Sequence, residues 1–312
     1  MTYPHLIILY GKFGDKLHNK QQAMIEERST CGYRPYAEKF GEIIYLCPQR
    51  ITKTWEKCIT KEIDLGYYLA PKHNVIIWSL KHDPRKDEVI KELYKNTVYY
   101  SCCAYDTINY NYRISLVDTQ ERIKENGKLW IKGKDPDYWK VGYSKLVDYL
   151  FVGARGDKNE VYFINELTKR VKSERYILWI GGALHQHNIK KTHHRIICTP
   201  FKSMSEVRDL IPRARIGIIL SELEAEGFPQ SFLEMTMCGV PVIYLGPRNH
   251  NYFNEYNSFL IDKKQDAIEV AENVLELYNA MPERKDYIDS IRQFAVNNYS
   301  LEKSYESILR WL

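Results

Sequence analysis

The sequence predicts an α/β protein made of two Rossmann-like, doubly wound parallel-sheet domains. Three observations carry that reading. Short apolar runs of strand length alternate with segments of helical periodicity along the whole chain. At 312 residues the chain is long enough for two domains of roughly 150 residues each. The stretch from Arg215 to Leu245 reads as a complete β-loop-α-β unit, the repeating element of a parallel sheet.

The first half supplies the strands His5 to Tyr10, Glu42 to Leu46, Asn74 to Leu80, Thr97 to Ala104, Tyr112 to Val117 and Lys128 to Lys132. A loop bearing Gly11 and Gly14 follows the first strand, and glycine there lets backbone approach a ligand closely. Asp83 to Tyr94 is a helix opening after His82-Asp83-Pro84. A domain boundary falls near Tyr143 to Asp148, with no Gly/Ser-rich linker, as short connections between rigid bodies require.

The second half opens with the strand Tyr149 to Gly153 and the loop Ala154 to Lys158. A helix to about Lys172 follows, with Val161, Ile164, Leu167 and Val171 at helical spacing. Tyr176 to Gly182 and Arg195 to Cys198 are strands, and Ser203 to Leu210 is a helix. The polar stretch between those two strands holds His185, His187, His193 and His194. No acid or cysteine stands at ligand spacing from them, so no metal site is read. Asp266 to Tyr278 and Pro282 to Asn297 are amphipathic helices. Leu301, Tyr305, Ile308, Leu309 and Leu312 give the terminal segment an apolar stripe suited to packing.

In the central unit, Ile216 to Leu220 is a buried strand and Ser221 to Glu226 a loop. Pro229 suits the first helical position because it has no N–H to leave unsatisfied. Gly239 and Pro241 end the helix, and Val240 to Leu245 is the next strand. The amides near Gln230 and Ser231 lack intrahelical acceptors and carry the positive end of the helix dipole, which suits a phosphate. Glu226 and Glu234, with seven residues between them, flank that anion site and can accept hydrogen bonds from hydroxyls on either side of it. A diphosphate with a sugar at each end fits this arrangement.

Composition bounds the remaining classes. A content of 44% hydrophobic and 27% charged residues is that of a globular protein. No apolar run approaches the roughly 18 to 20 residues that span a bilayer. The amino-terminal MTYPHLIILYGKFG lacks a basic n-region, so no signal peptide is read. The seven cysteines are an odd count without a CxxC pair, as expected of buried thiols in a reducing cytoplasm. Through Leu146 the chain holds 24 Lys/Arg and 18 Asp/Glu, a net +6, and the remainder holds 21 and 22, a net −1. The basic first half suits either a plain lysine-rich surface or peripheral contact with an anionic surface.

EGFPQSFLE followed by MCGVPVI resembles the E-x7-E signature of the glycosyltransferase family 4 group, retaining enzymes of the GT-B fold that use nucleotide-sugar donors. LWIKGKDPDYW, Leu129 to Trp139, is similar to the Asn-Gly-Val-Asp and aromatic element ahead of the family's second domain, with Lys132 in place of the first Asn. The resemblance implies two domains facing a cleft: residues 1–146 on the acceptor side, 147–298 on the donor side, and a closing helix, 299–312, packed back on the first.

The resemblance also implies roles. Glu226 holds hydroxyls of the transferred sugar, and Glu234 holds the ribose. Arg155 and Lys158 stabilise the departing diphosphate, with Gly227, Phe228, Gln230 and Ser231 on the donor side. Thr199 and Phe201 meet the base, and the loop of Gly11 and Gly14 lies at the cleft. Asp106 is the candidate on the acceptor side, with His82 the second choice. Cations and helix amides at the diphosphate remove the need for a divalent metal or other cofactor, the nucleoside-diphosphate sugar being the co-substrate. The acceptor is left open among glycan, lipid, protein and modified nucleic acid. Two rival readings are a sugar-nucleotide epimerase of the same fold and a noncatalytic partner subunit.

Overall fold

The computed structural model describes residues 131–153, 159–200, 202–222 and 228–309, together with the backbone of seven strands between residues 5 and 129. The chain divides into two compact units. Unit 1 takes residues 1–132, 225–228 and 301–312, and unit 2 takes 133–224 and 229–300.

In unit 1 the seven strands are β1 (His5–Leu9), β2 (Ile43–Leu46), β3 (Cys58–Ile59), β4 (Val75–Ser79), β5 (Val98–Ser101), β6 (Ile114–Val117) and β7 (Gly127–Leu129). They form one sheet in the order β3-β2-β1-β4-β5-β6-β7, with every pairing parallel. Neighbours in sequence are neighbours in space except at the step from β1 to β4, where the winding reverses.

Unit 2 repeats the design. Its strands are β8 (Val147–Val152), β9 (Tyr176–Ile180), β10 (Arg195–Thr199), β11 (Ala214–Leu220), β12 (Val242–Leu245) and β13 (Ser258–Leu260). The order is β10-β9-β8-β11-β12-β13, again all parallel, with the reversal between β8 and β11. The central strands are apolar runs because helices cover both faces of such a sheet. Tyr149, Phe151, Trp179, Ile216, Ile218 and Ile243 form its core with Phe163 and Leu167 of α1 (Glu160–Arg170) and Ala271 and Leu275 of α4 (Ala267–Ala280). The very short strands β3 and β13 are additions to the sequence reading, too brief to leave a pattern.

The helices expected after residue 150 are present with shifted ends, and the one expected over Asp83 to Tyr94 lies outside the described residues. Ser203 caps α2 (Met204–Leu210): its side chain accepts from the Glu206 amide, and the Glu206 side chain accepts from the Ser203 amide. In α3 (Gln230–Met237), Pro229 sits one position earlier than expected. Its ψ of 129° is extended, and its carbonyl accepts from the Phe232 amide at 3.2 Å, so proline is the cap and not the first helical residue. At the other end Gly239 takes φ +72°, and a Cβ there would lie 2.6 Å from Ile288 Cγ2. At Gly217 of β11 a Cβ would meet Met235 Sδ of α3, so that side chain packs directly over the strand backbone.

The helix α5 (Arg284–Tyr299) anchors α3 and the segment after Lys132. Arg292 donates to the carbonyls of Pro136, Trp139 and Met237, the last of these ending α3. Tyr299 OH donates to Thr236 Oγ1 at 2.7 Å, and Thr236 Oγ1 in turn donates to the Phe232 carbonyl at 2.8 Å. The Lys134 amide donates to the Tyr299 carbonyl at 3.0 Å. The final helix, α6 (Leu301–Leu309), belongs to unit 1, where Ser304 Oγ donates to the Ile131 carbonyl and Ser307 Oγ accepts from the Ile131 amide at 3.4 Å. No described helix is long and apolar enough to cross a membrane.

Candidate active site

In a doubly wound sheet the reversal opens a crevice at the carboxyl ends of the two diverging strands. In unit 2 those ends are Val152-Gly153 after β8 and Leu220-Ser221 after β11. One side chain joins them. Asn159, at the start of α1 with φ 61°, donates through Nδ2 to the Leu220 carbonyl at 3.2 Å and to Glu222 Oε2 at 3.1 Å. Glu222 also accepts from Lys264 Nζ at 2.8 Å, and that bond holds its carboxyl below the usual range. The start of α1 is therefore tethered through Asn159 to the end of β11.

The helix α3 starts beyond this point. No side chain caps it, and its first-turn amides at Gln230 and Ser231 have no intrahelical acceptor. Ser231 is 9% exposed.

Glu234, one turn further on, is 0% exposed, and its Oε1 lies 3.0 Å from Lys134 Nζ, itself 4% exposed. Charges this deep in a protein carry a desolvation cost that only close pairing offsets. The Lys134 ammonium also stands 5.7 Å from the centroid of the Trp139 ring, which is 3% exposed. A buried carboxylate at a strand-crevice helix is thus held in one orientation by a cation and an aromatic wall from the segment 134–139.

Phe228 falls in unit 1 and is 2% exposed, and its carbonyl accepts from Lys132 Nζ at 3.1 Å. Thr199 ends β10 on the edge of the unit 2 sheet, and its Oγ1 is buried without a hydrogen-bond partner. Gly11, Gly14, His82, Asp106, Arg155, Lys158, Phe201, Glu226 and Gly227 lie outside the described residues. The structure brings Gln230, Ser231 and Glu234 together on one helix and leaves Thr199 three strands away from β11 along the sheet.

The histidine stretch is structural where it is described. His185 stacks on Trp179 at 5.9 Å, and His194 Nδ1 accepts from the Arg175 amide at 3.3 Å. Among the described residues no three metal-ligating side chains cluster. Cys198 and Cys238 are free thiols, and burial pushes the Cys238 thiol up to about 12.

Residues 147–280 match the family model described as Glycosyl transferases group 1. That segment is similar to the group 1 glycosyltransferases. The matched segment spans β8 to α4, so it contains both strand ends of the crevice and all of α3. No curated protein matches the sequence. Among solved structures, a glycosyltransferase from Rickettsia africae aligns over 98% of this chain and 97% of its own at 12% identity, with a TM-score of 0.69. Anabaena HepE in complex with UDP aligns over 98% of both chains at 12% identity, with a TM-score of 0.67. An α-glucosyltransferase in complex with UDP and a 13-mer DNA containing an HMU base aligns over 98% of both chains at 11% identity, with a TM-score of 0.66. At such identities the likeness is one of fold, and that fold is the GT-B class expected from the sequence. The family model makes the protein a transferase.

Lys134 carries no signal in the sequence, because a lysine between Gly133 and Asp135 looks like any solvated loop cation.

Proposed function

We propose that this glycosyltransferase moves a sugar from a nucleoside-diphosphate sugar to an acceptor hydroxyl with retention of anomeric configuration. The observation that carries the reading is Glu234, a fully buried carboxylate on the helix that follows the sheet reversal. With Oε1 on Lys134, a carboxylate still has lone pairs for ribose hydroxyls. The uncapped amides of Gln230 and Ser231 are suited to the diphosphate, and Arg155 and Lys158 are the cations proposed to assist them. Glu226 then takes the transferred sugar. UDP is the first nucleotide to try, because the folds of HepE and the α-glucosyltransferase hold it.

Charge grows on the leaving diphosphate in the transition state, and fixed dipoles and cations in a water-poor site stabilise it strongly. The leaving phosphate serves as proton acceptor in front-face attack, so Asp106 assists without being the sole base. No divalent metal enters this scheme. The test is incubation with labelled UDP-sugars. Slow release of UDP supports the transferase, a new sugar nucleotide marks an epimerase, and neither product marks a binding subunit.

A further inference from the structure

Unit 2 has a second concave site, at the opposite ends of its strands. A cavity of about 260 Å³ is lined by Tyr143, Lys145, Arg215, Tyr278, Arg284, Lys285 and Ile288. Lys145 precedes β8, Arg215 is the second residue of β11, and Arg284, Lys285 and Ile288 form the first turns of α5. The seven residues of β11 separate this cavity from Ser221 by roughly 20 Å at about 3.3 Å per residue. It is therefore remote from the donor crevice.

Four of the seven lining residues are cations, and no carboxylate lines the wall. Two of the four are neutralised from outside it: Arg215 pairs with Asp148, and Lys285 lies 2.8 Å from Asp289. The other two have no carboxylate within 4 Å among the described residues, and Lys145 Nζ donates only to the Pro212 carbonyl, at 2.9 Å. Arg215 adds a buried Nε–H that has no acceptor. Burial, together with the charge of Arg215, pushes the Lys145 ammonium down to about 8. A fold gains nothing by gathering like charges around a hollow, so the excess of two positive charges points to an anion that is absent from the bare chain. The tyrosines frame the cavity: Tyr278 is 2% exposed, and Tyr143 is pinned by its hydroxyl to Asp289 at 2.7 Å. The α5 N-terminus opens at the same wall, and no side chain caps it.

We propose that this cavity binds a phosphate dianion, either free phosphate or the terminal group of a small phosphomonoester, through Lys145, Arg215, Arg284 and Lys285. A dianion cancels the two uncompensated charges, whereas a carboxylate cancels one. Arg supplies paired donors and Lys a point charge, the usual combination for phosphate oxygens.

The test measures dissociation constants for inorganic phosphate and for glycerol phosphate by calorimetry at fixed ionic strength, with excess UDP present, in the full chain and in Lys145→Met and Arg284→Gln. Saturable phosphate binding at 1:1, weakened at least ten-fold in both variants, is the expected result. Competition by glycerol phosphate extends the site to phosphomonoesters, and its absence restricts the site to free phosphate within the same proposal. Arg284 is exposed, so its variant is expected to fold even if Lys145→Met does not. Binding no tighter than that of chloride, or equal in the wild type and Arg284→Gln, overturns the proposal. Because the comparison is between cavity variants and wild type, it stands whether or not the donor reading holds.

Discussion

Lys134 Nζ and Glu234 Oε1 meet at 3.0 Å in a place where neither side chain has more than 4% of its surface exposed. The partners are a hundred residues apart in sequence, so the pair fixes the middle of helix α3 to the segment that enters unit 2. Removing one member of such a pair strands a charge and costs about 3–5 kcal/mol. Lys134→Met is expected to lose that much in urea denaturation, and Lys134→Met combined with Glu234→Leu is expected to recover most of it. A single variant as stable as the wild type would show that the pair is solvated.

Donor kinetics separate the two acidic residues. Glu234→Gln is expected to raise the donor Michaelis constant about ten-fold or more and leave the maximal rate within a few-fold, because the proposed ribose contact would be made equally in ground and transition states. Glu226→Ala removes the carboxylate proposed to hold the reacting sugar and is expected to lower the maximal rate. Equal effects on both constants in both variants would remove the division of roles.

The anomeric outcome tests the chemistry. An α-linked donor is expected to give an α-linked product, read from the coupling constant of the anomeric proton, with turnover unchanged by EDTA. A β-linked product, or activity that returns only with magnesium or manganese, excludes front-face attack assisted by amides and cations alone.

Gly239 offers a test of the fold alone. At φ +72°, with Ile288 Cγ2 2.6 Å from where a Cβ would stand, Gly239→Ala is strained twice over. A loss of about 1–3 kcal/mol from the backbone term, and more from the clash, is expected in thermal or urea unfolding. A neutral effect means that α3 ends differently.

Lys145 gives a pH signature. Its folded value near 8 lies below the unfolded 10.5, so between those values the unfolded chain holds more protons and stability rises with pH. The gain is about 1–3 kcal/mol across the window and is absent from Lys145→Met. Equal pH slopes in the two proteins between 8 and 10 refute it.

Much of this was legible from the chain. The run Ile216 to Leu220, the helix ended by Gly239 and the run Val240 to Leu245 carry apolar period and breakers in one short string, and each has its counterpart in β11, α3 and β12. Local pattern fails where structure is made by distant partners. β13 is a three-residue edge strand, Ser258–Leu260, recognisable only by its pairing with Val242 to Tyr244. Lys134 is a loop lysine until Glu234 is folded against it. The cavity at Lys145 gathers residues from four separate segments, none of which has a motif of its own.

The reversal in strand order has a consequence for how unit 2 comes into being. β8 pairs with β11 through Ala214↔Val147 and Ile216↔Tyr149, and the chain must make two intervening strands, β9 and β10, before that partner exists. During synthesis β8 therefore waits with one edge open while β9 and β10 add to the other, and long-range parallel pairing of this kind is slow. A chain cut before Ala214 ends as a half-sheet with an apolar strand at its margin, the edge most prone to joining another chain. The seam between β8 and β11 thus cannot close until β11 has been made, and the nascent protein is most exposed to aggregation just before that pairing forms.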